Sequence, residues 1–217
     1  MLKRKNQNKI KKGNKSQLII VGSLLILLGV GIIGGKYLYN YIQDKKEEKL
    51  IETFYEEQEE IEEAVEEEPV EEEVVEEPTT NTTPINYIAV IKIPKIGVEK
   101  GLCDKGSYCN NVNRNIQILK ESDYPDKEKG NVMLAGHSGN GRTSYFKNVD
   151  KLTKDDDVSI FYNGIEYRYK VVNMYDVEKT GTADIVRNAE KSTLTLVTCR
   201  HNTNKQIIVI CELIKKL

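Results

Sequence analysis

From Ser16 to Gly35 the chain carries no charged residue, and Leu18 to Ile33 is mostly Leu, Ile, Val and Gly. A run of about 18 to 20 such residues can cross the hydrocarbon core of a bilayer as a helix. The run is long for the apolar part of a cleaved signal peptide, and Gly34-Gly35-Lys36-Tyr37 offers no convincing small-x-small cleavage site. An uncleaved transmembrane anchor is therefore expected over residues 18–35. Lys3, Arg4, Lys5, Lys9, Lys11, Lys12 and Lys15 make residues 1–17 a basic segment that belongs in the cytoplasm, while Tyr37, Tyr39 and Tyr41 suit the opposite interface. The expected topology is single-pass, in the cell membrane, with the remainder of the chain outside the cell.

That remainder has two parts of opposite charge. Between Asp44 and Pro78 there are 18 Asp/Glu against 3 Lys, whereas residues 79–217 carry 21 basic and 16 acidic residues. Residues 36–84 are thus expected to be an acidic extracellular spacer. Leu50, Ile51, Phe54, Tyr55, Ile61, Ala64 and Val65 recur at a spacing compatible with one helix face, which allows a paired stalk, but crowding among the glutamates opposes a stable isolated helix. From Pro69 onward, prolines and charge repulsion predict an extended, disordered tract whose use is reach.

Residues 85–217 are left as the folded domain, within the usual size of one domain. Its strand signals fall at Tyr87 to Ile93, Asn131 to His137, Val158 to Tyr162, Glu166 to Asp176, Thr193 to Cys199 and Gln206 to Ile214. Asn163-Gly164 between two of them is a strong hairpin signal, because both turn positions tolerate positive φ. Short helical turns are expected at Ser144 to Leu152 and Ala183 to Ala189. The fold class is mainly β, closed or sandwich-like.

Thr193-Leu-Thr-Leu-Val-Thr-Cys199 alternates like a strand with one buried face and delivers a thiol where that strand ends. A buried cysteine is usually inert packing, and Cys211, inside an apolar run, reads that way. A working thiol needs a neighbouring base or cation. The chain has two histidines. His137, in Leu134-Ala-Gly-His137-Ser-Gly, sits where a strand gives way to a flexible loop, a common place for catalytic groups. His201 shares the local backbone of Cys199, whereas the thiolate needs a partner from across a groove, so His137 ranks above it. Cys103 and Cys109 bracket five residues, a spacing that leaves their pairing open. Neither histidine has a second ligand at zinc spacing and no Cys-x-x-Cys occurs, so no metal and no cofactor are expected. Asp155-Asp156-Asp157 is contiguous and reads as a solvated turn rather than a calcium site.

The strings "GNVMLAGHSG" and "TLVTCR", together with "IKIPKIGV" at 91 to 98 and "YFKNVDKLTKDDDVSIFY" at 145 to 162, resemble the sortases, cysteine transpeptidases of Gram-positive cell surfaces. The order, His first and Cys near the C-terminus, agrees. The resemblance implies an eight-stranded β-barrel with an active groove on one side, of class B or D type. It implies Cys199 as nucleophile and His137 as its proton-transfer partner. Its substrates would be surface proteins bearing a C-terminal sorting signal of the Leu-Pro-x-Thr-Gly type. The acyl group would pass to an amine of a peptidoglycan precursor or a pilin, with the membrane as the other partner and no nucleic acid. Sortases usually carry an arginine on the strand after the cysteine, and here that position is Gln206. Gln206 and Arg200 are the candidates for the oxyanion or substrate contact: a Gln amide donates more weakly than a charged group, and Arg200 reaches the thiol only if the chain turns sharply after Cys199. A hydrolytic exported cysteine peptidase and an inactive binding barrel are the rival readings.

Overall fold

The computed structural model describes residues 10–65 and 85–217, with side chains from residue 18 within the first segment as far as residue 58. The residues from Pro69 to the start of the domain and the basic residues Lys3, Arg4, Lys5 and Lys9 lie outside the described residues. Helix α1 (Ile10–Val65) contains the apolar run and is long and apolar enough to cross a membrane. The chain divides into two compact units, Met1–Lys49 and Leu50–Leu217.

Eight strands build the second unit: β1 (Tyr87–Ile93), β2 (Val98–Cys103), β3 (Gln117–Ile118), β4 (Asn131–Ala135), β5 (Asp157–Tyr162), β6 (Ile165–Glu178), β7 (Thr193–Cys199) and β8 (Lys205–Lys216). They form one sheet in the order β2-β1-β5-β6-β8-β7-β4-β3, curled into a nearly closed barrel. Every neighbouring pair is antiparallel except β4 and β7, which run parallel. Asn163 and Gly164 turn β5 into β6 with φ of 50° and 73°, the two-residue hairpin expected of that dipeptide.

Of the two short helical turns expected, the segment Ser144 to Leu152 holds one, a 3-10 turn at Val149–Lys151. Ala183 to Ala189 forms no helix; it runs over β6, where the Tyr175 hydroxyl donates to the Asp184 carbonyl (3.0 Å) and accepts from the Val186 N–H (2.8 Å). Those contacts replace the intrahelical bonds that a single short turn would supply. Asp156, from the acidic triplet, accepts from Lys95 at 2.7 Å.

The barrel interior is filled by alternate residues of each strand, among them Ile91, Ile93, Leu134, Ile160, Leu194, Leu196, Val209 and Cys211. A second apolar cluster lies on the outside of β1 and β2. There Ile51 and Phe54 of α1 are buried with Tyr87, Val90, Cys103 and Cys109. Tyr55 packs edge-on against Phe161, and Gln58 accepts a hydrogen bond from the Gly164 N–H at 2.6 Å. The helical face read from the sequence thus finds its apolar partner on the barrel, within the compact unit Leu50–Leu217. Only glycine fits at Gly101, since a Cβ there would sit 2.1 Å from the Tyr87 ring. Cys103 and Cys109 form a disulfide with their Cα atoms 5.9 Å apart, which closes the question their spacing left open.

Candidate active site

Cys199 is the last residue of β7, and it is a free, partly exposed cysteine. Cross-strand register carries it level with Gln206 on β8 and, through Gln206, with Val177 on β6. The next row inward, Thr198, Ile207 and Asp176, points to the opposite face of the sheet. β7 is buried on both faces rather than one, because the Thr hydroxyls on the face opposite Leu194 and Leu196 are satisfied: Thr193 and Thr195 both donate to the Asn131 side-chain carbonyl, at 3.0 and 2.9 Å. Burying a hydroxyl is tolerable only with such a partner. Asn131 therefore ties the start of β4 to β7.

His137 lies just beyond β4, which ends at Ala135 rather than continuing to the histidine. The parallel register between β4 and β7 runs from Asn131 opposite Thr193 to Ala135 opposite Val197. From that last pair each chain runs on for two residues, to His137 on one and to Cys199 on the other. The backbone on the way is held from both sides. The Gly136 N–H donates to the Val197 carbonyl (3.1 Å), and the Gly136 carbonyl accepts from the Thr198 hydroxyl (2.7 Å). The His137 carbonyl then accepts from the Phe146 N–H (3.0 Å). A Cβ on residue 136 would stand 2.8 Å from the Phe146 ring, so glycine is what lets that ring pack against the backbone there. The imidazole itself is partly exposed, and its Nε2 lies 3.1 Å from Asn113 Oδ1.

Arg200 is not brought to the thiol. Its Nε and Nη2 meet Asp176 Oδ1 at 2.9 and 2.8 Å, on the face that alternation turns away from Cys199. The tight link after Cys199, closed by the Arg200 N–H on the Lys205 carbonyl at 2.9 Å, keeps it there. His201 is exposed on that same β7–β8 turn. Cys211 faces the barrel core, fully buried, and burial pushes its thiol up to about 12. Gln206 is the candidate that shares a row with Cys199.

The residue that sequence reasoning missed is Asn113. Four asparagines occupy positions 110, 111, 113 and 115, a density that marks side chains substituting for backbone partners. Asn110 donates to the Ile118 carbonyl and accepts from the Ile118 N–H, Asn111 accepts from the Asn113 N–H, and Asn115 donates to the Gly101 carbonyl.

A family model described as Sortase domain matches residues 91–214. Sortase D of Bacillus subtilis (strain 168) is 31% identical over 110 residues, covering 51% of this chain and 52% of that protein. The chain thus spans about half the length of that relative in the matched region. Sortase A of Staphylococcus aureus (strain NCTC 8325 / PS 47) is 26% identical over 194 residues, covering 88% of this chain and 89% of that one. Among solved structures, a Clostridium perfringens Sortase D5 transpeptidase superposes with a TM-score of 0.56 at 26% identity, covering 78% of this chain and 98% of the other.

Proposed function

This chain belongs to the sortase family, class D type fitting its likeness to a sortase D, and from that premise we propose that it is a membrane-anchored transpeptidase in which Cys199 and His137 do the chemistry. The observation that supports the reading is the parallel β4–β7 register, paired as far as Ala135 opposite Val197, two residues before His137 on one chain and Cys199 on the other. Two groups so placed can act on one bound carbonyl.

In the first half-reaction the Cys199 thiolate attacks the threonine carbonyl of a Leu-Pro-x-Thr-Gly-like sorting signal. Gln206, in the same row as Cys199, donates its amide N–H to the oxyanion. The Thr–Gly C–N bond breaks, and the His137 imidazolium gives its proton to the departing glycine amine. This leaves a thioester and a neutral imidazole. An amine from a peptidoglycan precursor or a pilin then attacks the thioester, passes its proton to His137 and releases the thiolate. Water in place of the amine gives hydrolysis. Helix α1 supplies the anchor, with residues 1–17 cytoplasmic and the barrel outside.

The test is the full chain in detergent micelles, incubated with a labelled sorting peptide and an amine acceptor. A ligated product is expected, together with an acyl-enzyme mass on Cys199; Cys199→Ala should lower turnover by at least about a thousandfold. Product formed at the wild-type rate by that variant would overturn the assignment, and cleavage without any ligated product would make the protein a hydrolase.

A further inference from the structure

The histidine has a partner from outside the strands that position its backbone. Between β2 and β3 the chain makes a loop, closed at its start by the Cys103–Cys109 disulfide. Past that bridge, Asn110 and Asn115 fasten the loop to the buried backbone of Ile118 and Gly101. Arg114 adds a guanidinium 3.5 Å from the centre of the Tyr108 ring and a hydrogen bond to the Tyr108 carbonyl. The tip is therefore tied down despite being exposed. Asn113 stands on that tip, its own N–H donating to Asn111 Oδ1 at 2.9 Å, and its Oδ1 meets His137 Nε2 at 3.1 Å.

A carbonyl oxygen can only accept, so an imidazole nitrogen facing Asn113 Oδ1 carries a proton in this arrangement. A neutral imidazole has one N–H and one lone pair. Fixing the first at Nε2 leaves the lone pair at Nδ1.

We propose that Asn113 is a positioning residue for His137: its side-chain carbonyl holds the Nε2–H, so that Nδ1 is the nitrogen that takes the proton from the incoming amine and returns one to the leaving amine. The inference rests on the reading of His137 and Cys199 given above. It assigns to the disulfide-closed loop a part in the chemistry, because the loop carries the acceptor that chooses the tautomer.

The experiment uses the full chain in detergent micelles, in a His201→Gln background so that one histidine remains, with the imidazole nitrogens labelled with 15N. With Asn113 intact, the neutral ring should show the Nε2–H tautomer as the major species. Asn113→Leu, similar in size but without an acceptor, should mix the two tautomers and lower kcat about tenfold with KM within about twofold, the size of effect one hydrogen bond can carry. Asn113→Asp keeps an acceptor at the same reach and should retain the Nε2–H tautomer and most of kcat. An Asn113→Leu protein with the parental tautomer ratio and kcat would overturn the proposal, as would an Asn113→Asp protein as impaired as Asn113→Leu. If the parent protein forms no acyl-enzyme, the reading of Cys199 and His137 fails by itself, while an unchanged tautomer spectrum in Asn113→Leu remains the sign that the positioning bond is wrong.

Discussion

At the outer face of β1 and β2, Phe54 is 4% exposed and closes over Tyr87, Val90 and the Cys103–Cys109 bridge. At the ends of β4 and β7, by contrast, the backbone is pinned residue by residue while the side chains of His137 and Cys199 stay partly open. The first region spends apolar surface on stability; Tyr87 is so desolvated that its phenol is pushed up to about 12. The second holds its geometry through main-chain hydrogen bonds, which order the atoms without covering the reactive groups. The proposed site can be rigid in this way and still be reached.

The contrast is sharpest between the two free cysteines. At pH 8 a thiol pushed to about 12 is thiolate in only about one molecule in ten thousand, and Cys211 is buried besides. Iodoacetamide at that pH should therefore label Cys199 alone in the folded protein, read by peptide mass, with Cys211 labelled only after denaturation. Equal labelling of both without denaturant would erase the distinction between closed core and open edge.

Removing the helix side chain that seals the back wall is the next largest effect. Phe54→Ala should destabilise the folded unit by about 3 to 4 kcal/mol, measured by denaturant unfolding, because it opens a cavity among Tyr87, Val90 and the disulfide. The acyl-transfer rate of the fraction that remains folded should hardly change, since no partner of His137 or Cys199 is touched. A selective loss of activity at full stability would mean that the two walls communicate.

The smallest effect separates Arg200 from Gln206. The Arg200–Asp176 pair is about a third exposed, 37% and 31% for the two side chains. Arg200→Ala should thus cost no more than about 0.5 kcal/mol in the same unfolding measurement and leave kcat within about twofold. Gln206→Ala should lower kcat by at least about tenfold without a matching loss of stability. The opposite ranking in kcat would move the oxyanion donor to Arg200 and blur the difference between the two faces of β7.

Much of this was legible because strand signals are local. The spans 87–93 and 193–199 coincide with β1 and β7, and Asn163-Gly164 carried its turn in its own backbone preferences. β2 and β3 were not foreseen: Val98–Cys103 includes Glu99, Lys100 and Gly101, and Gln117–Ile118 is too short to show a period. Ala183 to Ala189 was read as helical because local propensity ignores Tyr175, which waits eight or more residues upstream to bind its backbone. At the candidate site, His137 and Cys199 stood out as residue types at strand ends, but Asn113 did not, since its part depends on a loop folded over from another strand pair.

The sequence alone determined the order of the chain's parts: an apolar run long enough for a bilayer, an acidic stretch, and a β-rich domain with a thiol and an imidazole near strand ends. Those follow from composition and from side-chain periods of two and 3.6, which are properties of neighbouring residues. The tertiary structure decided which residues meet. It turned the helix face at Leu50 to Gln58 onto the barrel, joined Cys103 to Cys109, paired Arg200 with Asp176 and brought Asn113 to His137. Each of these depends on register between strands distant in the chain, and register is chosen by the packing of the whole sheet.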